Sequence, residues 1–179
     1  MRVRLARLLA VILAAFTLMP VAEAQTPGTR ERQIRAALVY KVARFVTWPE
    51  NALPARTAFT FCYISDDPTS RVLAGIEGRA IQNRRTRMRR LDATDVGSLG
   101  GCNLLYLAGK ATLASDAMNE AVAAATLVVA DGPREAADAA MVQLLPRDNR
   151  VTLLVDLGRV RAARLRIDAT LLQLVEIRQ

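Results

Sequence analysis

The chain reads as a single α/β domain of three layers, a mostly parallel sheet with helices on both faces and a C-terminal hairpin at one edge. Three observations predict it. Short apolar runs alternate with helical stretches from Thr29 to Ala130. Two further strand-like runs, Met141–Leu145 and Arg150–Asp156, flank Pro146-Arg147-Asp148-Asn149, the pattern of a hairpin with a four-residue loop. The 155 residues from Gln25 to Gln179 suit one domain and are enough to bury a core. No internal repeat or low-complexity segment breaks the pattern.

Residues 1–24 are set apart from that domain. Arg2, Arg4 and Arg7 precede an apolar run from Leu8 to Leu18, and Ala22-Glu23-Ala24 places small residues where a signal peptidase reads. This is the order of a secretory signal, with cleavage expected before Gln25. The apolar run is about half what a spanning helix needs. The alternative is a retained anchor helix. Export without stable membrane insertion places the protein in the periplasm. Loss of the leader removes three arginines and Glu23, leaving 22 basic against 16 acidic residues, a balance of +6. In an exported protein that charge points away from nucleic acid and toward acidic surfaces or small anions.

The elements follow in order. Thr29 to Val46 is the strongest helix, with Ile34, Leu38, Val42 and Phe45 at helical spacing. Pro49 ends it, and Trp48, the only tryptophan, stands at that end. Phe59–Ser65 is a strand. Asp67 before Pro68 fits a helix cap followed by proline in the first turn, with the helix running from Thr69 to Ile76. Arg85–Leu91 is a strand that puts Arg85, Arg87 and Arg89 on one face. Such a stripe serves an anion or a partner, or simply protects an edge. Asn103–Ala108 and Thr126–Ala130 are buried strands. Between them lies an Ala-rich helix, Thr112–Ala124, capped at Ser115 or Thr112. Leu157–Leu165 and Thr170–Ile177 are helical pieces.

The chemistry is sparse. The chain has no histidine, so a Ser-His-Asp or Cys-His arrangement is excluded and the usual zinc sites lose their commonest ligand. No Gly-rich phosphate loop is present, and nothing calls for a metal or a cofactor. Ser65, Asp66 and Asp67 follow a predicted strand, where open α/β sheets bind ligands. They are ligand-cleft candidates, against the reading of a helix cap with a solvated neighbour. Cys62 and Cys102 are the only cysteines. An oxidising compartment favours a bond between them, against two buried thiols.

The segment Ala36-Ala37-Leu38-Val39-Tyr40-Lys41-Val42-Ala43-Arg44-Phe45-Val46-Thr47-Trp48-Pro49 resembles the opening signature of the YfiR family of periplasmic proteins. The likeness continues through Cys62, through Gly101-Cys102-Asn103-Leu104-Leu105-Tyr106-Leu107, and through Met141-Val142 to the C-terminal Leu171-Leu172-Gln173-Leu174. Ala139 and Ala140 stand where the family usually has two glycines, and Asp156 where it has asparagine. The resemblance implies regulation rather than catalysis. It implies a periplasmic repressor that binds the periplasmic domain of an inner-membrane diguanylate cyclase and thereby controls cyclic-di-GMP and biofilm formation. A homodimer is expected as well. Tyr40, Lys41, Arg44, Phe45, Trp48 and Pro49 are candidates for the partner or dimer interface, Phe45 and Trp48 being alternatively plain core residues. The competing readings are a periplasmic small-ligand binding protein, an accessory subunit of a sensor kinase, and an unrecognised hydrolase.

Overall fold

The computed structural model describes residues 27–64, 67–92, 99–109, 111–132, 140–147 and 150–178. Ten strands and five helices are assigned among them. The strands are β1 (Val46–Thr47), β2 (Phe59–Ile64), β3 (Ala80–Ile81), β4 (Arg84–Leu91), β5 (Leu104–Ala108), β6 (Leu127–Asp131), β7 (Val142–Arg147), β8 (Arg150–Asp156), β9 (Arg166–Ile167) and β10 (Glu176–Arg178). The helices are α1 (Pro27–Phe45), α2 (Pro68–Ala74), α3 (Ser115–Ala123), α4 (Leu157–Ala162) and α5 (Ala169–Leu172).

Eight strands form one sheet in the order β10-β8-β7-β6-β5-β2-β4-β3. The five from β7 to β4 are mutually parallel, while β8 and β3 run antiparallel to their neighbours β7 and β4. This is the mixed α/β sheet that the alternating pattern predicts. Side-chain alternation sorts the buried strands onto two faces. Phe59, Phe61, Leu104, Tyr106, Leu127 and Val129 join Val39 and Val42 of α1 and Leu73 of α2 in one cluster. Cys62, Leu105, Leu107 and Val128 join Ala117, Met118 and Ala121 of α3 in the other. Strands β5 and β6 are buried at every position because both faces are covered.

Several local expectations change. The buried face of α1 is Ala36, Val39, Val42 and Ala43, whereas Ile34 and Phe45 are exposed. Small side chains on that face let the helix lie close to the sheet, and the larger apolar residues fall to its flanks. The helix ends at Phe45 because β1 pairs antiparallel with β9 and the amide of Asp168 donates to the Phe45 carbonyl at 2.8 Å. In α3, Ser115 is the first helical residue and Ala114 holds the cap position without a side-chain hydrogen bond.

The hairpin is tighter than its sequence suggests. Pro146 pairs with Val151 and Arg147 with Arg150, so only 148 and 149 connect the strands. Past α5 the chain is not helical. It returns as β10 and lies parallel to β8 on the hairpin's outer side. Arg147–Glu176 at 3.1 Å and Arg178–Asp156 at 3.4 Å tie it there.

Candidate functional site

Cys62 lies on β2 and Cys102 just before β5, two neighbouring parallel strands. They form a disulfide with their Cα atoms 5.8 Å apart. Both cysteines are buried. Arg89 is the register partner of Cys62 on β4, and its guanidinium reaches Cys102 Sγ at 2.9 Å and the Gly100 carbonyl at 3.1 Å. The arginine stripe is therefore split: Arg85 and Arg87 are exposed, and Arg89 turns in against the disulfide.

The residues of the Phe45…Trp48-Pro49 region separate into surface and core. Trp48 is 6 % exposed. Its indole stands edge-on to Phe59 with centroids 5.0 Å apart and donates to the Asn103 carbonyl at 3.1 Å. Pro49 is half-buried, and its carbonyl accepts from the Ala52 and Leu53 amides. The half-buried Tyr40 donates to the Ala80 carbonyl at 2.9 Å and lies 6.0 Å beneath the Arg44 guanidinium. Lys41, Arg44 and Phe45 line a groove of about 500 Å³ between α1, β8 and α5. Leu174, 78 % exposed, lines the same groove. An exposed leucine beside a partly exposed phenylalanine is apolar surface left uncovered by the fold.

A second concavity lies at the C-terminal ends of the parallel strands. From β2 the chain crosses through α2 to β4 on one side; β5 lies on the other side and leads through α3 to β6. Helices α2 and α3 belong to opposite faces. The boundary between β2 and β5 is thus a topological switch point, where open α/β sheets leave a crevice for a ligand. Here the crevice is a cleft of about 330 Å³ lined by Gly28, Glu31, Arg32 and Arg35 of α1, Asp67 to Thr69, Gly109, and Asp131.

Asp131 of this lining is buried, and so is its hydrogen-bond partner Tyr106. The Tyr106 hydroxyl donates to Asp131 Oδ2 at 2.9 Å, and Arg35 Nη1 donates to Asp131 Oδ1. Arg35 also donates from Nη2 to Glu31 Oε1 at 2.7 Å. Burial lifts the Asp131 carboxyl above its ordinary range, although Arg35 and Tyr106 pull it back. Burial and the neighbouring Asp131 charge push the Tyr106 phenol up, keeping it protonated. For Arg35, burial opposes the charge, but Glu31 and Asp131 together outweigh it.

Of the three ligand-cleft candidates, Asp67 lines this cleft, and Ser65 and Asp66 lie outside the described residues. Asp67 is also the cap of α2, accepting the Ser70 amide at 2.6 Å. Sequence reasoning missed Arg35, Tyr106 and Asp131. The available signal was a carboxylate ending the apolar run Leu127–Asp131, which reads equally as a strand stop. Among the described residues no group of three or more potential ligands could hold a metal ion, and no helix is long and apolar enough to cross a membrane.

These features define a disulfide-tied α/β domain with a charged switch-point cleft and a separate apolar groove. The chain belongs to the YfiR/HmsC-like family, whose model matches residues 32–176. No curated protein matches it.

Proposed function

We propose that the protein is an exported periplasmic regulator that binds the periplasmic sensor domain of an inner-membrane diguanylate cyclase and holds the enzyme inactive. The observation that carries this reading is membership of the YfiR/HmsC-like family across residues 32–176. That is a family of regulators rather than enzymes, and its members are periplasmic. The secretory character of residues 1–24 agrees with export. The groove beside Lys41, Arg44 and Phe45 is the surface we assign to the partner, with Leu174 as its most exposed apolar group. Exposed apolar side chains beside the two cations Lys41 and Arg44 suit a partner that is apolar at its centre and carries acidic groups at its rim.

The test is capture from solubilised envelope with tagged protein, followed by a cyclic-di-GMP assay. Capture of one membrane protein with a periplasmic sensor and a cytoplasmic cyclase domain, together with raised cyclic-di-GMP on deletion, supports the reading. Capture of a sensor kinase keeps the regulatory class and changes the output. A deletion that leaves cyclic-di-GMP unchanged defeats the cyclase assignment.

A second reading has an observation of its own. The switch-point cleft, with its Arg35–Asp131–Tyr106 cluster, supports small-ligand binding. The two readings are compatible, because cleft and groove share no lining residue.

A further inference from the structure

Five charged side chains line the cleft at the ends of β2, β5 and β6: Glu31, Arg32, Arg35, Asp67 and Asp131. They are not equally available. Arg35 bonds Glu31 and Asp131, and Asp131 also accepts the Tyr106 hydroxyl. That cluster satisfies itself. Two groups of opposite sign remain on separate elements. Arg32 donates one N–H to Thr29 Oγ1 at 3.0 Å and meets no carboxylate among the described residues. Asp67 uses Oδ1 for its cap, and its second oxygen has no hydrogen-bond partner among the described residues.

We propose that this cleft binds a small zwitterion, a molecule carrying both a carboxylate and an ammonium group as a free α-amino acid does. Arg32 takes the carboxylate and Asp67 the ammonium. The proposal deepens the ligand-binding reading above and rests on it.

The charge pattern argues for this class over its neighbours. A purely anionic ligand would have to approach three carboxylates, and a purely cationic one two guanidiniums. The anion meets more like than opposite charges, and the cation has its attraction to three carboxylates offset by two guanidiniums. A molecule with both charges meets each group with its opposite, and the low-dielectric wall sharpens the difference. A guanidinium offers paired donors that match a carboxylate. A cleft of about 330 Å³ sits at the small end of the range for ligand sites, roughly 300–1,000 Å³, which suits a metabolite of amino-acid size. The switch-point position is where this fold class places ligands.

The experiment is thermal shift and calorimetry on the purified protein. The probes are glycine, L-leucine, L-glutamate and L-arginine, set against acetate, succinate, methylamine and putrescine. At least one amino acid should raise the melting temperature saturably, and the probes of single charge sign should not. Arg32→Gln should weaken that binding roughly tenfold or more, the scale of a lost charged hydrogen bond. Asp67→Asn should do the same while keeping the helix cap, since asparagine caps as well as aspartate. The two variants act on different elements, so misfolding of one leaves the other to decide. Amino-acid binding unchanged in both would overturn the assignment. Binding of single-sign probes alone would end the zwitterion class and leave the ligand reading standing. Silence from these probes and from a broad metabolite library would remove both.

Discussion

Trp48 shows how one side chain joins separate parts of this fold. Its ring packs edge-on against Phe59 of β2, and its N–H satisfies the carbonyl of Asn103 just before β5. Trp48→Ala removes a buried ring and one of two donors to that carbonyl, the Leu127 amide still donating at 2.9 Å, so a loss of about 3–5 kcal/mol is expected, set mainly by the ring. Urea denaturation reads it directly, and an unchanged midpoint would contradict the core placement. Gly132 is constrained differently. A Cβ there would stand 2.0 Å from the Gly109 carbonyl oxygen, which is backbone and cannot swing away. Gly132→Ala should cost about 1–3 kcal/mol by overpacking. Gly100→Ala, with nothing within 4 Å of its Cβ, should be near neutral in the same assay.

Asp131 links burial to pH. Its folded pKa lies above its ordinary value, so over the interval between the two the native state holds more proton than the unfolded chain. The associated stability is complete below the unfolded pKa and is lost as pH rises through the folded one. Asp168 behaves in the opposite sense. Its carboxylate accepts the Thr170 amide and is held low, so its contribution is present above the unfolded pKa and is lost as pH falls through the folded one. Wild type should therefore lose ground relative to Asp131→Asn as pH rises from about 4 toward neutral. Melting temperatures of the two proteins across that interval test it. A constant difference would mean that Asp131 does not titrate there.

At the scale of elements, the disulfide is the strongest cross-link. It closes a loop of sequence separation 40 between β2 and the start of β5. The chain-entropy account gives roughly 4 kcal/mol for a loop of this size. The double substitution Cys62→Ala with Cys102→Ala should lower stability by up to that amount, read by urea denaturation. Stoichiometric thiol labelling of the unreduced protein would show that the bond is absent in solution. The C-terminal strand depends on a different device. Asp156 caps α4 through the Arg159 amide at 2.9 Å, and its other oxygen lies 3.4 Å from Arg178 of β10. Asp156→Ala should cost about 1 kcal/mol through the cap. It should also loosen β10, visible as faster amide exchange at Ile177 and Arg178 than at β8.

At the scale of the whole molecule, the groove and the cleft make separate predictions. Leu174→Arg places a charge on a residue that is 78 % exposed, so melting should stay within about 0.5 kcal/mol of wild type. Capture of the proposed cyclase partner should nevertheless fall sharply. Retained capture would move the partner surface elsewhere. The same variant, examined by sedimentation, asks whether the expected homodimer uses this face.

Much of the architecture was legible along the chain, because strand and helix periodicities are local properties. Phe59–Ile64, Leu104–Ala108 and Leu127–Asp131 declare themselves as buried strands through their own composition. The Asp67-Pro68 cap is written in adjacent residues, and Cys62 and Cys102 have only each other to pair with. Tertiary structure decided what depends on which distant segments meet. It rotated α1 so that Ala36 and Val39 face the sheet in place of Ile34 and Phe45. It also drew the tail into β10 through ion pairs to Arg147 and Asp156. Above all it brought Arg35 to Asp131 across 96 residues and Tyr106 to Asp131 across 25. Periodicity reports which face of an element is apolar. It carries no information on which charged residue of a remote helix will reach the end of a given strand, because that is set by sheet order and crossover, and these exist only once the chain has folded.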